Sequence, residues 1–526
     1  MNNKSSRSII GIDIGGTNTD SVVLSLQPLS QEVLFTAKTT TSSDIISGIE
    51  KALATIVQKA PINAHDVCAL FISSTHAINA ILEAKNLHTV GIIRLAQNNP
   101  AILPGTGWNE HLKQALKLSV ETVAGGYEID GRVMAPINKQ EVINATKRLL
   151  DKGAESIAIM GVFSPLYPEQ ERMVKDLIIS RFGHIPLTCS YEMGSIGFIE
   201  RENATILNSA LKKCIADGFK QISDCCNAKG FSCPFYVVQN NGSTITLEQA
   251  RAFPILLLAA GQTNSCNGAA LLSGYRDCII IDIGGTSTDI GLVKNGLTRR
   301  MLGNSLIAGI PLAISMPNLC SLAIGGGSII TKTPFDTHVG PESVGAALFE
   351  KAVFNGGELL TLTDIALHSG LFTELPTTSK FAISKKEALV IMEQTVQRIA
   401  HAVERFATLE KDLPLVFVGG GAALFPTPVL QKYFPQRLVV KPDHADVANA
   451  FGAACALVSG TIDETISLTE QDRVITELCE RAKQKAVDNG ACPKTVSIVD
   501  LAIMPYAYTA QPIARARICA AGRLKL

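Results

Sequence analysis

Two rhythms of apolar and polar positions alternate along the chain. Short apolar runs predict strands: "SIIGIDI" (Ser8–Ile14), "SVVLSL" (Ser21–Leu26), "CALFIS" (Cys68–Ser73), "SIAIMGVF" (Ser156–Phe163) and "LPLVFV" (Leu413–Val418). Between them apolar residues recur three and four apart. Residues 42–60 put Ile45, Ile49, Leu53, Ile56 and Val57 on one helical face, with Ser43 or Asp44 as cap. Helices are also predicted over 74–85, 139–153 and 167–183, the last with Pro168 near its start. Residues 200–226 predict one long helix bridging two halves of the protein, with Ile206, Leu207, Ala210, Leu211, Cys214, Ile215 and Phe219 at helical spacing. A helix over 384–410 opens on Ser384 and Glu387, the spacing of a capping box. Residues 444–460 predict a helix of small residues able to pack closely, and the tail from about Thr461 a helix followed by strands. Such alternation is the grammar of an α/β fold.

One octapeptide occurs twice. "DIGGTNTD" spans Asp13–Asp20 and "DIGGTSTD" spans Asp282–Asp289, with Asn18 against Ser287 as the single change. Each copy lies between two apolar runs, which predicts a strand–turn–strand hairpin with Gly-Gly-Thr at its tip. A dinucleotide fingerprint needs GxGxxG leading into a helix and a P-loop needs GK[ST], so neither fits. Glycines let a backbone approach an anion closely, and exposed N–H groups make a nest for it. Thr17, Thr19, Thr286 and Thr288 add hydroxyl donors. Asp13 and Asp282, each ending a first strand, are placed to hold Mg²⁺ directly or through water. One hairpin holds one phosphate group; two on facing lobes can grip a polyphosphate from both sides. The simpler alternative, a tight turn between buried strands, does not require Asp and Thr at identical offsets in both copies.

Composition narrows the class without changing that picture. In 526 residues, 46% are hydrophobic and 18% charged, with 47 basic and 47 acidic side chains, so no basic footprint for nucleic acid or a membrane surface exists. The greasiest stretch, Phe253–Gly261, is too short to span a bilayer, and the N-terminus does not read as a signal peptide. Thirteen scattered cysteines without CxxC spacing read as reduced thiols of a cytoplasmic protein.

The paired hairpins and a late Gly419–Gly421 turn resemble the actin/Hsp70/sugar-kinase ATPase superfamily. Within it the chain resembles the hydantoinase/oxoprolinase family, specifically its hydantoinase A-type subunit. The supporting segments are "STHAINAILEAK" (Ser74–Lys85), "ERENATILNSAL" (Glu200–Leu211), "IGGGSI" (Ile324–Ile329), "VGPESVGA" (Val339–Ala346), "TLTDIAL" (Thr361–Leu367) and "VFVGGGAALFP" (Val416–Pro426). It departs from the family pattern at Asn18, where an aromatic is common, and at "AAGQTNSCNG" (Ala259–Gly268).

The resemblance implies a two-lobed, duplicated ribonuclease-H-like (actin-like ATPase) α/β fold with ATP and Mg²⁺ in a central cleft. The expected division is 1–200, a lobe with the first hairpin and an inserted α/β subdomain; 201–276, a bridging helix and connector; 277–460, a lobe with the second hairpin; and 461–526, a terminal helix and strands. It further implies that Gly15, Gly16, Thr17, Asn18, Thr19, Gly284, Gly285, Thr286, Ser287 and Thr288 hold phosphates, with Gly419, Gly420 and Gly421 beside the adenosine. The implied activity is ATP-dependent opening of a cyclic amide such as a hydantoin or 5-oxoproline, through phosphorylation of the carbonyl oxygen, by an oligomer with a second subunit. Asp13 and Asp282 would be the catalytic, metal-holding pair. Ser74, Thr75, Glu200, Arg201 and Asp364 are candidate substrate contacts, each with a plainer reading: an N-cap for Ser74, helix-end electrostatics for Glu200 and Arg201, a turn for Asp364. A sugar-type kinase and a non-catalytic ATP-binding switch are the alternatives.

Overall fold

The structure, a computed structural model, describes every residue except 1–6, 17, 27–31, 42–44, 97–101, 195, 302–304, 334–336, 378, 507–511 and 526. Thr17, Ser43 and Asp44 therefore lie outside the described residues, as do the side chains of Ile45 and Phe219.

The repeated octapeptides build two copies of one local design. Ser8–Ile14 pairs antiparallel with Asn18–Ser25, Asp13 opposite Asp20 and Ile14 opposite Thr19. Cys278–Ile283 pairs with Thr288–Lys294 in the same register, Asp282 opposite Asp289 and Ile283 opposite Thr288. In each copy another strand runs parallel to the first: Val67–Ser74 in one, Leu415–Val418 in the other. A further strand runs antiparallel to the second, Val33–Thr40 or Leu319–Leu322. The Ile/Val runs are buried, as strands covered by helices require. The first hairpin belongs to a nine-stranded sheet and the second to a six-stranded one. This is a duplicated actin-like α/β architecture.

The last strands return to the first lobe. Leu457–Ser467, Ile513–Gly522 and Ser497–Pro505 extend the nine-stranded sheet, and helix Gln471–Asp488 covers them with Leu478, Ala482 and Ala486. The small-residue helix stops at Ala454, short of the span predicted from sequence. Beyond it Val458 finds ladder partners on both sides, so pairing overrides helical spacing.

Four parallel strands, in the order Ser119–Val123, Val90–Leu95, Ser156–Gly161, Leu187–Cys189, form a separate sheet inserted in the first half. Helices Lys139–Asp151 and Glu169–Phe182 cover it. The long helix runs Phe198–Ala228, as its spacing foretold, and ties this insert to the first lobe's core through Ile206, Leu207, Ala210 and Leu211. Helix Lys385–Phe406 is capped by Ser384, whose hydroxyl accepts from Glu387 N at 3.2 Å. The Glu387 carboxylate turns away to Lys332, so only half of the anticipated capping box forms.

Two helices join the lobes. Ala260–Ser273 and Ala448–Ala454 cross backbone against backbone: a Cβ at Gly268 would collide with Ala448 O, and one at Gly452 with Asn264 O. Ala448 packs into the second lobe's cluster, while Ala450, Ala453 and Ala454 pack against the first lobe. Among the described residues no helix is long and apolar enough to cross a membrane.

Candidate functional site

Both hairpin tips line one cleft of about 310 Å³. Each tip closes on itself by a short bond, Gly15 N to Asn18 O at 3.0 Å and Gly284 N to Ser287 O at 2.9 Å. Gly15, Gly16 and Asn18 face Gly284, Gly285 and Thr286 across the opening, and Gly419–Gly421 form its floor on the second lobe. Gly419 has φ 85° and sits against Asp282, where a Cβ would strike the carboxylate Oδ1; only glycine fits both demands.

The hydroxyls divide by strand direction. Thr286 is exposed at its tip and Ser287 half-buried. Thr19 and Thr288 point inward: Thr19 Oγ1 lies 3.0 Å from Thr41 Oγ1, and Thr288 Oγ1 donates to Ile324 O at 2.7 Å. Those two hold the tips in place and are not in the cleft lining.

Carboxylates from both lobes reach the cleft: Asp20 and Asp282 line it, and Asp13, opposite Asp20 in the hairpin register, lies just outside the lining. Asp13 is 2% exposed; its Oδ2 accepts from Asn449 Nδ2 at 2.8 Å, the Ser73 hydroxyl beside it favours the ionised form, and its Oδ1 has no partner within bonding distance among the described residues. The same Asn449 Nδ2 reaches Asp20 Oδ2 at 3.0 Å, and Lys38 Nζ binds Asp20 Oδ1 at 2.5 Å. Burial pushes the Asp13 carboxyl up to about 6, with Asp20 adding to the shift. Burial likewise raises Asp282 to about 6, with Asp289, Asp13 and Asp20 contributing. The first lobe's carboxylates are thus felt by the second lobe's. Asp289 is also raised by burial and accepts a hydrogen bond from Ser321 Oγ.

Three residues in this cluster were not singled out from sequence. Asp20 sits in the repeated octapeptide itself, where its pairing with Asp13 follows from hairpin register. Lys38 carried no local signal. Asn449 was hidden in a segment that reads as packing helix, and only the lobe-joining crossing aims it at Asp13. The second glycine triplet, Gly325–Gly327, buttresses the second tip: Gly326 N donates to Gly284 O at 3.0 Å and Gly327 N to Gly285 O at 2.7 Å.

The remaining candidates, Ser74, Thr75, Glu200, Arg201 and Asp364, do not line the cleft. Ser74 Oγ lies 2.6 Å from His76 Nδ1 and accepts from His76 N at 3.1 Å, which is a local cap. Thr75 Oγ1 donates to Ile14 O at 3.2 Å, fastening the helix to the first hairpin. Arg201 is wholly buried and gives its guanidinium to Gly161 O and Ser190 Oγ, at 2.6–3.1 Å, beside the buried Glu171. Next to it Glu202 pairs with Arg94 through two bonds of 2.7 Å. Glu200 is half-buried, and its backbone carbonyl accepts from Ala313 N at 3.1 Å. Asp364 has both oxygens filled by Phe354 N, Thr361 N and Thr361 Oγ1 at 2.6–2.7 Å, completing a capping box. Asp364 acts as an internal fastener, and Arg201, though its Nε has no partner among the described residues, is wholly buried and does not line the cleft either.

Similarity to known proteins agrees with this architecture. The family profile for the hydantoinase/oxoprolinase N-terminal region matches residues 9–182, and the hydantoinase/oxoprolinase profile matches residues 201–408. The chain is 25% identical over 396 residues to the acetophenone carboxylase gamma subunit of Aromatoleum aromaticum, covering 69% of this chain but only 53% of that protein. It is 22% identical to caprolactamase subunit alpha of Pseudomonas jessenii, over 91% of this chain and 76% of that one. The crystal structure of the ATP-dependent caprolactamase from that organism superposes with a TM-score of 0.77 at 18% identity, over 98% of this chain and 88% of the other. With both profiles running through the two hairpins and the long helix, the chain belongs to the hydantoinase/oxoprolinase family.

Proposed function

We propose that the chain is the nucleotide-using subunit of an ATP-dependent hydrolase that opens a cyclic amide such as a hydantoin or 5-oxoproline. The observation that carries this reading is the convergence of two glycine tips from opposite lobes on one cleft lined by Asp20 and Asp282, with the buried Asp13 tied to Asp20 through Asn449. Tip amides of Gly15, Gly16, Asn18, Gly284, Gly285 and Thr286 would hold phosphates, with Ser287 alongside and Gly419–Gly421 beside the adenosine.

Asp13 and Asp282 suit Mg²⁺. Asp13 Oδ1 is a buried, unpartnered acceptor, and both carboxylates sit near enough to repel one another until a cation neutralises them. Among the described residues no cluster of three or more His, Cys, Asp or Glu side chains is placed to hold a metal. Mg²⁺ is consistent with that, since it keeps waters and takes one or two carboxylates plus phosphate oxygens. Bound MgATP would supply a γ-phosphoryl for the amide oxygen, turning a resonance-stabilised carbonyl into one with a phosphate leaving group. The chain's own part is positioning and charge: Asn449 fixes the rotamer of Asp13, Lys38 neutralises Asp20, and the glycine triplet at 325–327 stiffens the second tip.

Relatives named as subunits support a second subunit and an oligomer. Thirteen free cysteines, about half of them buried, suit a reducing cytoplasm. The test is nucleotide turnover by the purified chain with hydantoin, 5-oxoproline or a lactam, alone and with a candidate partner subunit. Substrate-stimulated release of phosphate is expected; its absence in every pairing sinks the reading. The carboxylase relative favours a second reading, ATP-dependent carboxylation of a ketone, which bicarbonate-dependent phosphate release would reveal.

A further inference from the structure

A second cavity, of about 340 Å³, opens beside the nucleotide-type cleft but shares no lining residue with it. The first turn of helix Ala260–Ser273 lies between the two: Gly261 is against Asp13, while Thr263 Oγ1 donates at 2.9 Å to the carbonyl of Asn240, which lines the cavity. One side of the cavity is apolar, with Phe253, Leu256 and Ile314. The other presents Arg300 and Arg517.

The charges there do not balance. Arg515 is bound by Asp463 at 2.5–2.7 Å, Arg517 by Asp500 at 3.1 Å, and Glu192 by Lys175 at 3.6 Å. Lys485 gives its ammonium to Thr461 O at 2.9 Å. Arg300 has no carboxylate within ion-pair distance among the described residues; its Nη2 bonds only Ser315 O and Asn240 Oδ1, the latter at 3.4 Å. Burial, with Arg517 nearby, pushes the Arg300 guanidinium down to about 10, against the more distant pull of Asp500 and Asp463. Three buried donor atoms on residues lining this cavity lack partners among the described residues: Arg300 Nε, Arg517 Nε and Ser315 Oγ, the two arginines also bordering a neighbouring cavity. A half-buried guanidinium with no carboxylate in contact, next to unfilled donors, costs free energy that an anion would relieve.

We propose that this cavity binds a small organic carboxylate, with Arg300 as its principal counter-charge and Asn240, Ser315 and Arg517 completing the polar end. The planar guanidinium fork matches a carboxylate in two-point contact, and the apolar wall accommodates the carbon skeleton of the same molecule. This does not rest on the nucleotide reading, and it holds whether or not the neighbouring cleft takes ATP.

Calorimetric titration of the full chain with acetate, succinate and 5-oxoproline tests it, with 2-pyrrolidinone as the uncharged ring. At least one carboxylate should bind with a Kd below about 1 mM and the neutral ring should not. Arg300→Met should weaken that carboxylate at least about tenfold, and Arg300→Lys less, because the charge stays while the fork is lost. If the methionine variant does not fold, Ser315→Val and Asn240→Leu replace it and should each weaken binding about threefold or more. Failure of all three carboxylates to bind overturns the inference, as does equal binding by wild type and the variants, or equal binding of the neutral ring. A 5-oxoproline response shared by acetate assigns the site to the carboxylate alone; a response confined to 5-oxoproline assigns it to ring and carboxylate together.

Discussion

The two hairpin tips share a sequence but are held in opposite ways. The second is braced by backbone: Gly326 and Gly327 donate into Gly284 and Gly285, and Gly419 lies against Asp282. The first is held by side chains: Asn449 from the lobe-joining helix bridges Asp13 and Asp20, and Lys38 neutralises Asp20. One tip is therefore rigid within its own lobe, while the other is tied to the element that joins the lobes. Both aspartates are nevertheless touched from the lobe-joining helices, Asp13 by Asn449 and Asp282 by Ser265.

The largest expected effect tests whether both tips serve one ligand. Asp13→Asn and Asp282→Asn should each cut MgATP turnover by roughly 10²–10³, the scale for losing one preorganised charge-stabilising group. Loss in only one variant, measured as phosphate release, would break the symmetry of the pair.

Bracing is tested by adding a single methyl group at each tip. Gly419→Ala forces a Cβ into Asp282 at a positive φ and should destabilise by about 2–4 kcal/mol in urea unfolding, with MgATP affinity lost as well. Gly16→Ala meets nothing nearer than Asn79 Nδ2 at 3.7 Å, so its stability should stay within about 0.5 kcal/mol. Equal losses would mean that the first tip is braced as tightly as the second.

Asn449→Ala should cost about 1–3 kcal/mol, by leaving the buried Asp13 carboxylate unpartnered. It should weaken MgATP binding without disturbing the second tip, which calorimetry on a double variant with Gly326→Ala would separate by additivity.

The smallest effect is in pH dependence. A carboxyl raised to about 6 binds its proton more tightly folded than unfolded, so the folded chain loses stability as pH climbs from about 4 through 6. Asp13→Asn should therefore raise the melting temperature of the nucleotide-free chain by a few degrees at about pH 8, a gain that disappears near about pH 4. Mg²⁺ should supply the same gain to the wild type, and a melting curve across that range shows which of the two occurs.

Much of this was legible in the residues. The hairpins could be read because strands, Gly-Gly turn and register are local, and a repeat reports the same local solution twice. The long helix Phe198–Ala228 and the cap at Ser384 followed from spacing and side-chain chemistry within one turn. Arg201 and Asp364 stayed open between two readings because a charged residue at a helix end looks alike whether it faces a cleft or a buried neighbour. Asn449 and Lys38 left no trace because their roles depend on partners 436 and 18 positions away.

The sequence by itself determined the two tips, their aspartates and the α/β alternation, since these arise from contacts between residues close in the chain. Only the tertiary structure decided that the tips face one another, that the strands after Ala454 return to the first sheet, and that Arg300 lines a cavity with no ion-pair partner among the described residues. Those outcomes are set by how helices Ala260–Ser273 and Ala448–Ala454 cross, a packing of distant small residues whose energy no local pattern encodes.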